Sequence, residues 1–302
     1  NAECGMRNAE CGMRNAECGM RNANREPRTL DVGPWTLDVG DTRMKILVCI
    51  KQVPDPETIF KVEPAGGRVI PEGRLKSWMN RADESALEEA LLIKETVSET
   101  VVDAITVGPG PAGQVLERAI GMGADTGVHI FVSDENIPGP LKIASWISNY
   151  AIGKGYDLIL AGVMGEDHMH GQVGPMLAEL MNLPCATSVI AEKVDPAGVS
   201  VTVEREIEGG QRSVMEIILP AVLTFQTGGN EPRYPTLSNL MRAKNQRALV
   251  IPSEALPAVQ DREKIVGADY PQKTRAGVFL EGTVKEKASR LLDILEKEAL
   301  LF

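Results

Sequence analysis

From Met44 onward, short apolar runs of strand length alternate with segments of helical period. Ile46–Val53, Asp103–Val107, Val128–Val132, Tyr156–Leu160 and Ala221–Phe225 are short, mainly apolar runs. Such runs suit parallel strands covered on both faces. Between them, MNRADESALEEALLIKE places Ala86, Leu87, Ala90, Leu91 and Lys94 at helical spacing, with one apolar face. Asn80 is a good N-cap, and Asp83 three residues later resembles a capping box. Gln114–Gly121, Leu141–Gly153 and Val173–Met181 predict three more helices. Strand–helix–strand alternation predicts an α/β fold with a doubly wound, mostly parallel sheet.

Two stretches break this rhythm. Between Val189 and Leu219, SVTVER and SVMEIIL alternate in polarity, with turns at DPAG and EGGQ. That predicts an antiparallel hairpin, an excursion from the main sheet. Beyond Met241 the chain becomes Pro-rich and charged, then closes with a helix over 284–300. Residues 44–245 are therefore expected to form the α/β domain, and residues 246–302 an extended arm and helix that packs on a partner subunit rather than on its own core.

The first 43 residues follow no such pattern. NAECGMR occurs three times from Asn1, and TLDVG twice, at Thr29 and Thr36. An unchanged seven-residue copy suggests a translated short DNA repeat, so residues 1–43 are expected to be disordered or non-native and the natural chain to start at Met44. Cys4, Cys11 and Cys18 lie seven apart, whereas metal-binding cysteines are usually two to four apart. Cys49 and Cys185 lie in or beside apolar segments and read as buried free thiols in a reducing compartment.

Composition excludes several functions. The net charge is −10, which matches nucleic acid or an anionic membrane surface poorly. Four Tyr and three Trp in 302 residues leave little for stacking single-stranded bases. No apolar run reaches membrane-span length, and no apolar h-region marks a signal peptide. The expectation is a cytoplasmic protein without membrane insertion.

In open parallel sheets, ligands bind beyond the carboxyl ends of the strands. Here those ends are glycine-rich: VGPGPAG at 107–113 and AGVMGED at 161–167. Glycine admits close backbone approach, and the following helix N-terminus offers N–H groups to a phosphate. Neither loop fits the dinucleotide fingerprint or the Walker A pattern. An anion or nucleotide site and ordinary strand-to-helix turns both remain open. Asp167, His168 and His170 invite a metal reading, but no Cys or further His stands near them in sequence. No G-x-S-x-G elbow is present.

One segment is far more specific. VEREIEGG, LPAV and NEPRYPTLSNLMRAK, in order between Val203 and Lys244, resemble the signature region of the electron-transfer flavoprotein β-subunit family. KILVCIKQV, AIGMGAD, GQVGPMLAEL and KTRAGVFLEG extend the resemblance over essentially all of 44–302. The resemblance implies a Rossmann-like domain and a larger α subunit as partner. It implies FAD shared at the interface, and AMP or a second FAD in the β subunit. Electrons would come from acyl-CoA dehydrogenases or similar flavoenzymes and pass to a membrane quinone reductase. A bifurcating form reacting with NADH, and a stand-alone adenine-nucleotide sensor, are the alternatives.

Carried over by position, the nucleotide contacts fall on Cys49, on Asn80, Arg81, Ala82 and Asp83, on Val107, and on the loop from Gly162 to Val173. Family members often read G-K-Q-A-I-D-G-D-T-A-Q-V in that loop. Here Gly162, Asp167, Gln172 and Val173 match, Gly165 and Gly171 stand at the two Ala positions, and Val163, Met169 and His170 replace the Lys, second Asp and Thr. The resemblance assigns Glu206 to the flavin interface, pairing with an Arg of the α subunit. It assigns Gly229, Asn230, Arg233 and Tyr234 to a partner-docking loop, with Gly229 where a Leu often stands.

Overall fold

The computed structural model describes residues 44–63, 69–73, 75–133, 138–257, 260–263, 266–270 and 277–297. The repeats expected to be disordered or non-native lie outside these residues. The described residues all belong to one compact unit, Thr42–Phe302.

The elements run in the order β1 (Lys45–Cys49), β2 (Gln52–Pro54), β3 (Phe60–Val62), β4 (Val69–Pro71), β5 (Ser77–Met79), α1 (Arg81–Thr96), β6 (Val101–Gly108), α2 (Gln114–Met122), β7 (Thr126–Phe131) and α3 (Pro140–Ala151). Then follow β8 (Leu158–Gly162), α4 (Val173–Met181), β9 (Cys185–Val194), β10 (Ser200–Ile207), β11 (Gln211–Ile218), β12 (Ala221–Phe225), α5 (Leu237–Asn245), β13 (Leu249–Pro252) and α6 (Val284–Lys297). Nine strands form one sheet in the order β11–β10–β9–β12–β8–β1–β6–β7–β13. All pairings from β9 through β13 are parallel, and β10 pairs antiparallel with β9 and β11.

Alternate residues of each parallel strand feed two apolar layers. Ile46, Val48, Val102, Ala104, Leu158 and Leu160 pack under α1 and α2, against Leu87, Leu91, Leu116 and Ala119. Leu47, Cys49, Ile105, Val128, Ile159 and Ala161 pack under α3 and α4, against Ala144, Ile147, Leu177 and Ala178. Each fully buried Leu or Ile contributes about 1.5–3 kcal/mol relative to exposure. Two covered faces are what a doubly wound sheet requires, and they explain why its strands read as mainly apolar runs without strict alternation.

The strand order sets the position of the site. From β1 the chain moves outward through β6 and β7, then crosses back to β8 on the other side of β1. The carboxyl end of β1, flanked by β6 and β8, is therefore the topological switch point, where the two flanking connections diverge and leave a crevice.

The antiparallel hairpin forms as expected, β10 with β11. It is continuous with the main sheet: β9 pairs with β12, and β10 and β11 extend the same edge. Two other expectations are revised. The sheet does not stop at residue 245, since Leu249–Pro252 pairs with Val128–Phe131. Cys49 is buried as expected, but Cys185 is exposed at the start of β9. Among the described residues no helix is long and apolar enough to cross a membrane.

Candidate functional site

A cavity of about 780 Å³ opens at the switch point, within the size range of small-molecule and cofactor sites. Cys49, Val107, Gly108, Ala161 and Gly162 form its floor at the carboxyl ends of β1, β6 and β8. Val132, Ile143 and Ile147 give it an apolar wall, and the loop 163–174 closes the other side.

The start of α1 holds this floor together. Asn80 does not cap the helix with its side chain. Its Nδ2 donates to Met164 O at 2.9 Å, and its Oδ1 accepts from Glu166 N at 3.1 Å. Asp83 does not complete a capping box. Its carboxylate accepts from Lys51 N and Gly162 N, each at 2.8 Å. Two residues with helix-start chemistry are thus used across elements, binding β1, β8 and the loop to one helix end. The reason is burial: both side chains are almost wholly enclosed, and the strand-end amides beside them need acceptors. Burial pushes the Asp83 carboxyl up to about 7, against the pull of the two backbone amides and the Lys51 charge.

Glycines set how closely the walls approach. A Cβ on Gly162 would meet the Asp83 carboxylate and lie 2.7 Å from the Ala82 carbonyl carbon. At Gly165 it would lie 2.8 Å from Asp167 Oδ1, and at Gly171 3.0 Å from Val163 O. At Gly174 it would collide with Thr224 Cγ2.

Charge concentrates on the loop. Lys51 Nζ lies 2.7 Å from Asp167 Oδ1, and His168 Nδ1 2.9 Å from Asp167 Oδ2. Burial pushes the Asp167 carboxyl up, but the His168 hydrogen bond and the Lys51 charge outweigh it and hold it well below the usual carboxylate range. His170 stands 5.7 Å from His168, centroid to centroid. Among the described residues, no three His, Cys, Asp or Glu side chains gather as a metal ion would need. α4 begins at Val173 with no side-chain cap, so its first-turn amides lie uncapped where Val173 and Gly174 line the cavity.

Of the residues assigned to nucleotide contact, Cys49, Asn80, Asp83, Val107, Gly162, Val163, Gly165, Asp167, His170, Gly171 and Val173 line one cavity. Arg81, Ala82 and Gln172 do not. Arg81 is exposed, with Nε 3.8 Å from Glu166, Ala82 lies buried beneath Gly162, and Gln172 is an exposed N-cap. Sequence reasoning passed over Lys51, and it raised His168 only in a metal reading. The signal for Lys51 was its place just past the first strand, where a lone cation at a sheet's carboxyl rim faces any bound anion.

The assigned docking loop is tied down to α1. Asn230 Nδ2 donates to Ser85 O and Glu89 Oε1, both at 2.9 Å. The Arg233 guanidinium donates to Glu88 and Glu95 at 2.6–3.0 Å, and Arg233 N also donates to Glu88 Oε2. A Cβ at Gly229 would collide with Ile190 O, so this backbone lies directly on β9. Tyr234 is 86% exposed, with Arg118 over its ring. Glu206 is exposed near the end of β10, far along the chain from the cavity-lining residues.

Comparison with known proteins agrees with this architecture. A family model described as an electron transfer flavoprotein domain matches residues 68–256. The electron transfer flavoprotein subunit beta of Bacillus subtilis is 33% identical over 262 residues, covering 85% of this chain and 99% of that protein. Its human namesake is 33% identical over 254 residues, covering 83% and 98%. A protein of the same name from Oryza sativa subsp. indica, termed mitochondrial, is 36% identical over 259 residues, covering 85% and 99%. The chain therefore belongs to the electron-transfer flavoprotein β-subunit family and is an electron-transfer flavoprotein subunit.

Proposed function

We propose that this chain pairs with a larger α subunit, holds an adenine nucleotide in the switch-point cavity, and helps to place an FAD shared with that partner. The observation that carries this reading is the cavity itself. Its apolar wall of Ile105, Val107, Val132 and Ile143 suits a purine face. Its opposite rim, with Lys51, His168, His170 and the uncapped start of α4, suits a phosphate. Glycines at 162, 165, 171 and 174 leave room for the ligand's approach. The residues present thus fit an adenylate, the portion common to AMP and FAD.

FAD, when bound with the partner, supplies the electron-carrying chemistry. The chain's own residues bind and orient. Asp83 and Asn80 fix the cavity floor, and the loop 163–174 covers the nucleotide from water. Glu206, exposed on the hairpin, is placed to meet an arginine of the partner. The loop 227–234, fixed on α1, presents Tyr234 to a donor of the acyl-CoA dehydrogenase type, and the acceptor is a membrane quinone reductase.

Co-expression with the α subunit, followed by extraction and quantification of flavin and adenine nucleotides, tests this. One FAD and one AMP per heterodimer are expected. Two FAD would place the complex in the bifurcating class. A pair that carries no adenine nucleotide apart from the shared FAD overturns the cavity assignment, and a colourless pair overturns the whole reading.

A further inference from the structure

We infer that His168 and His170 form a proton-linked clamp for the phosphate of the nucleotide in this cavity. The inference rests on the adenylate reading above and adds the side chains that receive the phosphate and the pH dependence that follows.

The chain has three His. His129 is buried, with Nε2 2.9 Å from Gly108 O. The other two share one loop, and both line the cavity. Met169 between them has φ of 54°, in the left-handed region that bulky side chains seldom adopt. Its N–H donates to Gly165 O at 2.8 Å, closing the turn. Its side chain is turned to solvent, and the imidazoles on either side of it come together. Asp167 occupies Nδ1 of His168, which leaves Nε2 as the nitrogen available to a ligand.

The surrounding charges decide what these imidazoles do. Lys51 and Asp167 form an ion pair at 2.7 Å and largely cancel. Arg81 faces Glu166. Asp83 lies beneath Gly162, and Glu263 lines the opposite wall. With both imidazoles neutral, Glu263, joined by Asp83 once pH rises past about 7, leaves the cavity with a net negative lining, which repels a phosphate dianion. Protonated imidazoles reverse that sign at the rim and donate charge-assisted hydrogen bonds to phosphate oxygens. Histidine is the side chain whose charge changes across neutral pH. Phosphate binding therefore draws protons onto the pair, and affinity falls as pH rises.

The test uses the heterodimer stripped of bound nucleotide and titrated calorimetrically with AMP at pH 6.5 and pH 8.5, in buffers of low and high ionisation enthalpy. AMP loses its last phosphate proton near pH 6, so it is mainly a dianion throughout. Binding about tenfold tighter at pH 6.5, with uptake of about one proton, is expected. Adenosine, which lacks the phosphate, should show neither effect at the imidazoles. The double variant His168→Gln/His170→Gln should lose most of the pH dependence. Asp83 is unchanged in that variant, so its own proton exchange appears equally in both proteins. The buffer-dependent heat of the unaltered protein needs no variant. If AMP binds with the same affinity at both pH values, or the double variant keeps the full pH dependence, the clamp is wrong while the adenylate reading stands. If AMP binds at neither pH, the adenylate reading fails and the clamp falls with it.

Discussion

Asp83 shows what a single residue does in this fold. Its carboxyl joins two strand ends, at Lys51 N and Gly162 N, and burial pushes it up to about 7. A folded-state value above the unfolded one means that the folded protein holds the proton longer. Between about pH 4 and pH 7 the folded state is protonated where the unfolded state is not. The stability contributed by this group is thus full below about pH 4 and lost as pH rises through 7, with a slope of at most about 1.4 kcal/mol per pH unit. Asp83→Asn does not titrate, but its Nδ2 donates and cannot accept, so one of the two strand-end amides loses its acceptor. Denaturant unfolding should place the variant about 1–3 kcal/mol below the wild type near pH 4, the cost of the amide left without an acceptor. As pH rises toward 7 the wild type should lose stability relative to the variant, and the difference should be constant above. Glu192, which burial and the Glu89 charge also push to about 7, titrates in both proteins and cancels. A wild type that gains on the variant as pH rises would mean that the two amides outweigh burial. The sequence marked Asn80 and Asp83 as a helix start, and that much is right. It gave no sign that their side chains serve other elements, because a capping pattern fixes local spacing and says nothing of which strand ends lie nearby.

At the scale of elements, α4 meets β12 through one glycine. Gly174, in the first turn, rests on the methyl of Thr224, which is 1% exposed. Gly174→Ala should cost about 1–3 kcal/mol by overpacking and push the start of α4 away from the cavity. Thr224→Ser removes the methyl and keeps the hydroxyl that accepts from Ser188 N at 3.4 Å. The double variant should recover most of the loss, giving a coupling of about 1 kcal/mol or more in thermal unfolding. Strict additivity would mean that the contact is relieved elsewhere. The elements themselves were unevenly legible. Ala221–Phe225 and Val173–Met181 match their expected bounds, because an unbroken apolar run and a strongly apolar helix each have one good solution. Leu237–Asn245 was passed over as a helix, although Thr236 accepts from Asn239 N and a threonine before such a run is a start signal. Leu249–Pro252 hid among prolines, and its role depends on β7 lying alongside. Strand order was not legible at all. Parallel neighbours are chosen by which helix covers which face, and only long-range packing decides that.

The molecule as a whole leaves one element without a local explanation. α6 starts by its own chemistry: Thr283 N donates to Glu286 Oε2 at 2.8 Å, and Glu286 N donates to Thr283 Oγ1 at 3.4 Å. That is a reciprocal capping box. No residue of this 14-residue helix is buried, and Val284, Leu291 and Leu292 are exposed. An isolated helix of this length is marginal in water, and an amphipathic stripe of this kind is normally buried against something. The α subunit proposed above is the partner that fits. Since α6 contributes nothing to either apolar layer of the sheet, Leu291→Asp should leave the unfolding of the α/β unit within about 0.5 kcal/mol of wild type. The same change removes about 1.5–3 kcal/mol of side-chain burial at the interface and adds the cost of desolvating a charge. Association with the α subunit, followed by size-exclusion chromatography and by flavin absorbance retained in the complex, should therefore weaken at least about tenfold. A heterodimer that survives the substitution with its flavin intact would separate the two roles: partner capture would then belong to the hairpin edge that carries Glu206, and α6 would lie outside the interface.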